Sequence, residues 1–426
     1  MERLQSTLVV RRALLATCDR GPSDPGLLPE AAVAVDDRLV GWIGPDAAVE
    51  EAVDLSEARQ IDAGGRLVTP GLVDAHTHLL FGDAGEREKE FAERCRGRSY
   101  LETARAGGGI AATVQATRAS SDGALLAAAL TRARRLLAQG VTTVEVKSGY
   151  GLSVAQELRL LRIVQELASS LFGQMTVAPT LLAAHAIPTE FAGDREGWVR
   201  AICQEIVPAV ARERLAFFCD AFAEEGAFTL DEARRVLRAG ATHGLVPRLH
   251  ADQLTAGGGA RLAAELGCAS ADHLEHVDDQ GIAALARAGV TACLLPISTL
   301  FAGGERQAPG RRLLDAGVPV ALATNVNPGT AMSENAALAI SLACLKLGLT
   351  PGEALVAFTA GGARALRLAD AGRVARGLEA DLVVWGCRSV EHLAWHMAVP
   401  HALLVVKRGR VVHQADPRTA ADCAAL

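Results

Sequence analysis

Residues 67–78 read LVTPGLVDAHTH, an apolar, β-branched run that stops at two histidines one residue apart. Along an extended strand, side chains two residues apart point to the same side, so His76 and His78 can share one ion. With 11 histidines in 426 residues, an HxH pair is expected by chance roughly 0.3 times. The pair therefore carries weight through its position at the end of a strand-like run, not through its spelling.

Reading outward, the same texture recurs. Apolar runs at 141–147, 175–184, 215–220, 246–250, 269–273, 290–295 and 318–324 join 67–76 to make eight candidate strands. Helical segments separate them. Ser153 with Gln156, and Thr229 with Glu232, have capping-box spacing, and Thr350-Pro351 with Glu353 sets an N-cap, an N1 proline and an N3 acid in order. Gly140, Gly240 and Gly289 read as helix stops. Strand and helix repeated eight times predict an α/β fold, a (β/α)₈ TIM-like barrel, over 67–371. A doubly wound open sheet is the rival, but no GxGxxG follows the first strand. The GGG runs at 107–109 and 257–259 fall in loops or at helix starts, a weak phosphate signal. Residues 1–66 and 372–426 are strand-rich and turn-rich, which predicts one small β-sandwich domain assembled from both chain ends.

Composition narrows the function. Half of the residues are apolar and the formal charge is −6, with basic residues dispersed, so nothing favours nucleic acid or an anionic membrane. Nine cysteines without a CxxC pair read as thiols of a reducing compartment, and Arg11 and Arg12 interrupt the only apolar stretch near the N-terminus. No apolar window is long enough to span a bilayer. A cytoplasmic protein is the expectation.

Polar residues gather where the candidate strands end, which is where barrel active sites are built. His76 and His78 end the first strand, Lys147 and Tyr150 follow the second, and His185 the third. Asp220 closes the fourth, His250 and Gln253 the fifth, His273 the sixth, and Asn325 and Asn327 the eighth. His250 reads as a further metal ligand. His273 reads as an active-site group, with a satisfied core histidine as the bland alternative. Lys147 reads as a positioning or structural residue, since the modified lysine that bridges metals in some barrel hydrolases belongs to the fourth strand. His243, His276, His392, His396 and His401 lie on helices, beyond a strand end or in the β domain, and their default is structural.

TPGLVDAHTH resembles the first-strand motif of the amidohydrolase superfamily. REKEF at 87–91, EVKSGYGL at 145–152, AAHAIP at 183–188, LHADQL at 249–254, SADHLE at 270–275 and NPGT at 327–330 are similar to the imidazolonepropionase branch. The resemblance runs from about residue 62 to 385, with its motifs in order. It implies one divalent or trivalent metal ion, zinc or iron, held by His76, His78 and His250, and a homodimer. It implies substrate contacts from Arg87, Tyr150, His185, Gln253, Asn327, Gly329 and Thr330. A planar guanidinium suits a carboxylate-bearing substrate, although without the motif Arg87 would pass as a surface residue. Tyr100 and the AGGG at 106–109 are expected to complete this loop. The implied reaction opens the ring of 4-imidazolone-5-propanoate to N-formimidoyl-L-glutamate, a step of histidine degradation. A bound cation lowers the pKa of water from 15.7 toward roughly 7, and His273 would orient the water or stabilise the oxyanion.

One position departs from the pattern. The family places an aspartate at the end of the eighth strand, as metal ligand and proton acceptor, and this chain has Asn325. A carboxamide offers a carbonyl oxygen but cannot be a general base, a loss that typically costs about 10²–10⁴-fold in rate. The alternatives are another cyclic amidohydrolase or heterocycle deaminase, and an impaired homologue that binds without efficient turnover.

Overall fold

The computed structural model describes residues 3–82, 85–97, 108–399 and 401–416. Eight parallel strands, Leu72–Asp74, Val141–Lys147, Thr176–Ala184, Phe218–Ala223, Leu249–Ala251, Ser270–His273, Thr291–Leu294 and Val320–Leu322, each pair with the next. Most of their residues are buried, which is why they read as continuous apolar runs without alternation. The first and last strands meet through single bonds. Asn325 N–H donates to the His76 carbonyl at 3.1 Å and His78 N–H to that of Val326 at 2.9 Å. The Asp74 carboxylate accepts from both the backbone N–H and the hydroxyl of Thr324. The barrel is thereby closed beside the histidine pair.

Both chain ends build the small β domain, as expected. Its main sheet runs Arg410–Gln414, Ala402–Lys407, Leu382–Trp385, Leu67–Pro70, Leu8–Ala16, Leu27–Asp36 and Leu39–Pro45, with Arg59–Asp62 also on Leu8–Ala16. A ribbon of Leu4–Gln5 with Val53–Asp54 completes it. Period-two alternation puts Leu8, Val10, Val33 and Val35 in one core and Val9, Ala32 and Ala34 in another. Both faces are covered, so these strands too lack a polar side.

Four local expectations change. The run 67–76 is two strands: Leu67–Pro70 lies in the end sheet and only Leu72–Asp74 in the barrel. Proline has no N–H to continue a ladder, and a Cβ on Gly71 would fall 2.1 Å from the Thr142 hydroxyl, so the chain crosses between sheets where only glycine fits. The fourth strand is Phe218–Ala223, which leaves Asp220 inside the strand and fully buried instead of at its end. Gly240 lies within the helix Leu230–Thr242, against Cys219, and the turn comes at Gly244 with φ 84°. Ser153 caps its helix, accepting from Gln156 N–H, without the reciprocal bond that Thr229–Glu232 and Thr350–Glu353 both make. Gly289 ends its helix in the left-handed conformation, as the spacing predicts.

Candidate metal centre and substrate cavity

Strand ends one, three, five and six deliver five imidazoles to one mouth. His76 and His250 ring centres are 4.5 Å apart, His76 and His78 5.4 Å, and His78 and His250 5.6 Å. The Nε2 atoms of His78 and His250 face each other at 3.5 Å. His273 joins them, with one ring nitrogen from each of His76, His250 and His273 lying within 4.8 Å of the others. His185 stacks on His78 at 5.0 Å. The sequence reading had His273 acting beside the ligands, and the structure brings it as close to His76 and His250 as a ligand would be.

Beneath the imidazoles lies a layer of buried charge. His76 Nδ1–H donates to Asp272 Oδ2 at 2.7 Å, which leaves Nε2 with a lone pair, buried and without a partner. Arg248 donates to the same oxygen at 3.1 Å and to the Ala75 carbonyl at 2.7 Å. Lys147 donates to Glu145 and Asp220, both at 2.7 Å, and Asp220 Oδ2 lies 3.1 Å from His250 Nδ1. Three carboxyl groups thus oppose two cations, a balance that favours positive charge at the mouth above. Burial alone would raise the Asp220 carboxyl, but His250 and Lys147 outweigh it and hold it well below the usual range. Burial, reinforced by neighbouring cationic groups, pushes the His76 and His78 imidazoles well below their ordinary value. Burial also lowers His185, to about 4. Neutral imidazoles are the form that binds a metal.

The backbone here is held in a conformation that L-residues seldom adopt. Asp252, His273, Leu274 and Asn325 all have φ between 51° and 81°. Each such residue costs on the order of 1–3 kcal/mol and persists where the surroundings dictate it. At Asn325 the turn sends the side chain inward, with Oδ1 buried and unpartnered. At Asp252 it aims the carboxylate at the N–H groups of Gly258, Gly259 and Ala260. Two glycines of the GGG at 257–259 thus spend their N–H groups on the protein itself.

Above the histidines opens a cavity of about 250 Å³. It is lined by His78, His250, His273 and Asn325, and by every residue expected to contact substrate: Arg87, Tyr150, His185, Gln253, Asn327, Gly329 and Thr330. His76 lies fully buried below it. Arg87 is 6% exposed, paired with Glu90 at 2.9 Å, so it is no surface residue. A Cβ at Gly329 would meet Arg87 Nη2 at 2.3 Å, so glycine there lets the guanidinium reach the cavity wall. The Asn327 carboxamide is engaged within its own turn, donating to the Asn325 carbonyl and accepting from Gly329 and Thr330 N–H. His185 Nδ1–H donates to the Gly149 carbonyl at 2.9 Å. Tyr100 lies outside the described residues. Phe222, Ile110 and Thr113 also line the cavity, with nothing in their sequence context to mark them, and so does Leu254 at the end of LHADQL. Asp272, Arg248 and Glu145 were missed as well. Their signal is a charged residue inside a run that is otherwise buried on both faces.

The donor set fits a metal ion: unpartnered buried nitrogens and one carbonyl oxygen, with open space on the cavity side. Comparison with known proteins agrees. The amidohydrolase family model matches residues 67–412. An imidazolonepropionase from Anaeromyxobacter dehalogenans (strain 2CP-C) is 68% identical over 99% of this chain and 100% of its own length. One from Myxococcus xanthus (strain DK1622) is 55% identical over 90% of each chain. Among solved structures, a 5-methylcytosine deaminase from Klebsiella pneumoniae shares the fold, with a TM-score of 0.74 at 17% identity over 96% of this chain and 98% of that one. By sequence, fold and the motifs around its mouth, the chain belongs to the amidohydrolase family and, within it, to the imidazolonepropionases.

Proposed function

We propose that the chain hydrolyses 4-imidazolone-5-propanoate to N-formimidoyl-L-glutamate at this mouth. The observation that carries the reading is a single 250 Å³ cavity walled by imidazoles on one side and a buried arginine on another. His76, His78 and His250, with the Asn325 carbonyl oxygen, would hold zinc or iron. When bound, that ion supplies a positive charge against the ring carbonyl and acidifies water. Arg87 grips the propionate carboxylate with its paired N–H groups, which fixes the ring over the histidines. Tyr150 and His185 pack against the ring, while Gln253 and the turn at Asn327–Thr330 bound the remaining space. One water adds across the ring amide C–N bond, the carbonyl carbon becomes a carboxylate, and the departing nitrogen takes a proton. His273 is the side chain placed to pass that proton. Asn325 has no site to accept one.

Asn325 also favours a second reading, a protein that binds the substrate with little turnover. Cys18, Cys95, Cys203, Cys219, Cys268, Cys293 and Cys344 form no disulfide, which supports a reducing, cytoplasmic setting. Among the described residues, no helix is long and apolar enough to cross a membrane.

The test is turnover by the zinc- or iron-loaded protein, followed by appearance of the formimidoyl product. Arg87→Ala should raise KM for imidazolone propanoate by about tenfold or more, the worth of a charged hydrogen bond, with a smaller change in kcat. An unchanged KM would remove the substrate assignment. Release of ammonia from cytosine or adenine at a comparable rate would favour a deaminase, and tight binding without product would favour the second reading.

A further inference from the structure

Three histidines outside the mouth form their own cluster. His392 lies on the short helix Val390–Trp395, His396 caps that helix, and His401 precedes the strand Ala402–Lys407. Their ring centres are 4.8–5.4 Å apart, and one nitrogen from each lies within 4.8 Å of the other two. None of the three lines the substrate cavity.

The hydrogen bonding says which nitrogens are free. His401 Nε2 lies 3.1 Å from the His396 carbonyl, and a carbonyl only accepts, so Nε2 carries the proton. Nδ1 then bears the lone pair. His401 is 2% exposed, and its Nδ1 is buried without a partner, as is Nδ1 of His396. An unsatisfied buried nitrogen costs about 1–3 kcal/mol, and two on neighbouring rings call for something that both can bind. The spacing H-x3-H puts two imidazoles on one face of a helical turn, a common way to seat a transition metal.

We propose that His392, His396 and His401 form a second, peripheral site for a borderline transition-metal ion of the zinc class, with a fourth position left for water. Zinc–nitrogen bonds of about 2.0–2.1 Å place tetrahedral ligands about 3.4 Å apart, a contraction that rotation of the half-buried His392 ring supplies. The ion would pin a segment that holds the two domains together. Ser341 and Asn335 of the barrel donate to the carbonyls of Ala394 and Ala398, while the His401 carbonyl accepts from Gly386 in the end sheet.

Untagged, metal-stripped full-length protein is titrated with zinc, and separately with cobalt, whose visible absorption reports nitrogen ligation. His392→Ala/His396→Ala should bind one equivalent fewer than the parent and lose that share of the cobalt spectrum, with ring-opening activity within about twofold. His401→Ala should do the same; if it fails to fold, His392→Ala alone should weaken that equivalent at least tenfold. His76→Ala/His78→Ala should keep it. Equal stoichiometry and equal affinity in the parent and the His392 variants would overturn the proposal, whatever happens at the mouth.

Discussion

Asn325 sits at the mouth with its carbonyl oxygen buried and unpartnered, in a left-handed turn that aims it among the histidines. Asn325→Asp adds a base without changing shape, so hydrolysis should rise at least tenfold, and an unchanged rate would deny this position any part in proton transfer. Asp272 acts one bond further out, fixing the His76 tautomer. Asp272→Asn should weaken metal binding about 10–100-fold, measured by competition with a chelator, while unaltered affinity would show that the bond only packs the ring. The histidines could be read because a rare residue type recurs at strand ends, and Arg87, on the helix Gly85–Cys95, only through the motif REKEF. Asp272 and Arg248 were harder, because a charge inside a strand signals only that it must have partners, and those partners come from other strands.

Helix starts show how much of an element is local. Thr350 and Glu353 are three residues apart, and their reciprocal bonds form as the spacing predicts, with Arg311 added from a neighbouring helix. Burial would raise Glu353, but the Thr350 N–H and Arg311 outweigh it and hold it below its ordinary value. The stabilisation is therefore present above the unfolded value and lost as pH falls through the folded one. Glu353→Gln should lower stability by about 1 kcal/mol at pH 7, with the gap in Tm closing below about pH 4. A gap independent of pH would mean that shape, not charge, holds this start. Gly240 misled for the converse reason: close packing on Cys219 calls for glycine inside a helix as much as a stop does.

Across the molecule, the barrel centre is tied by ions as well as by apolar burial. Glu145 and Lys147 come from the second strand, Asp220 from the fourth, Asp272 from the sixth, and Arg248 sits beside the fifth. Lys147→Met leaves two carboxyl groups buried without their cation and should cost about 3–5 kcal/mol in urea unfolding. A loss under about 1 kcal/mol would mean that the carboxyls simply take up protons. The eightfold alternation made the barrel legible, but the exact partition between barrel and end sheet was not, since both demand the same apolar run from 67 to 74.

That shared run has a consequence for synthesis. Leu67–Pro70 pairs with Leu382–Trp385, and His76 follows six residues after Pro70. The ribosome therefore makes the first histidine pair more than three hundred residues before the second of the two strands that flank Leu67–Pro70. A nascent chain stalled before residue 382 would carry all five imidazoles, on four barrel strands, with Leu67–Pro70 paired on one edge only, to Leu8–Ala16.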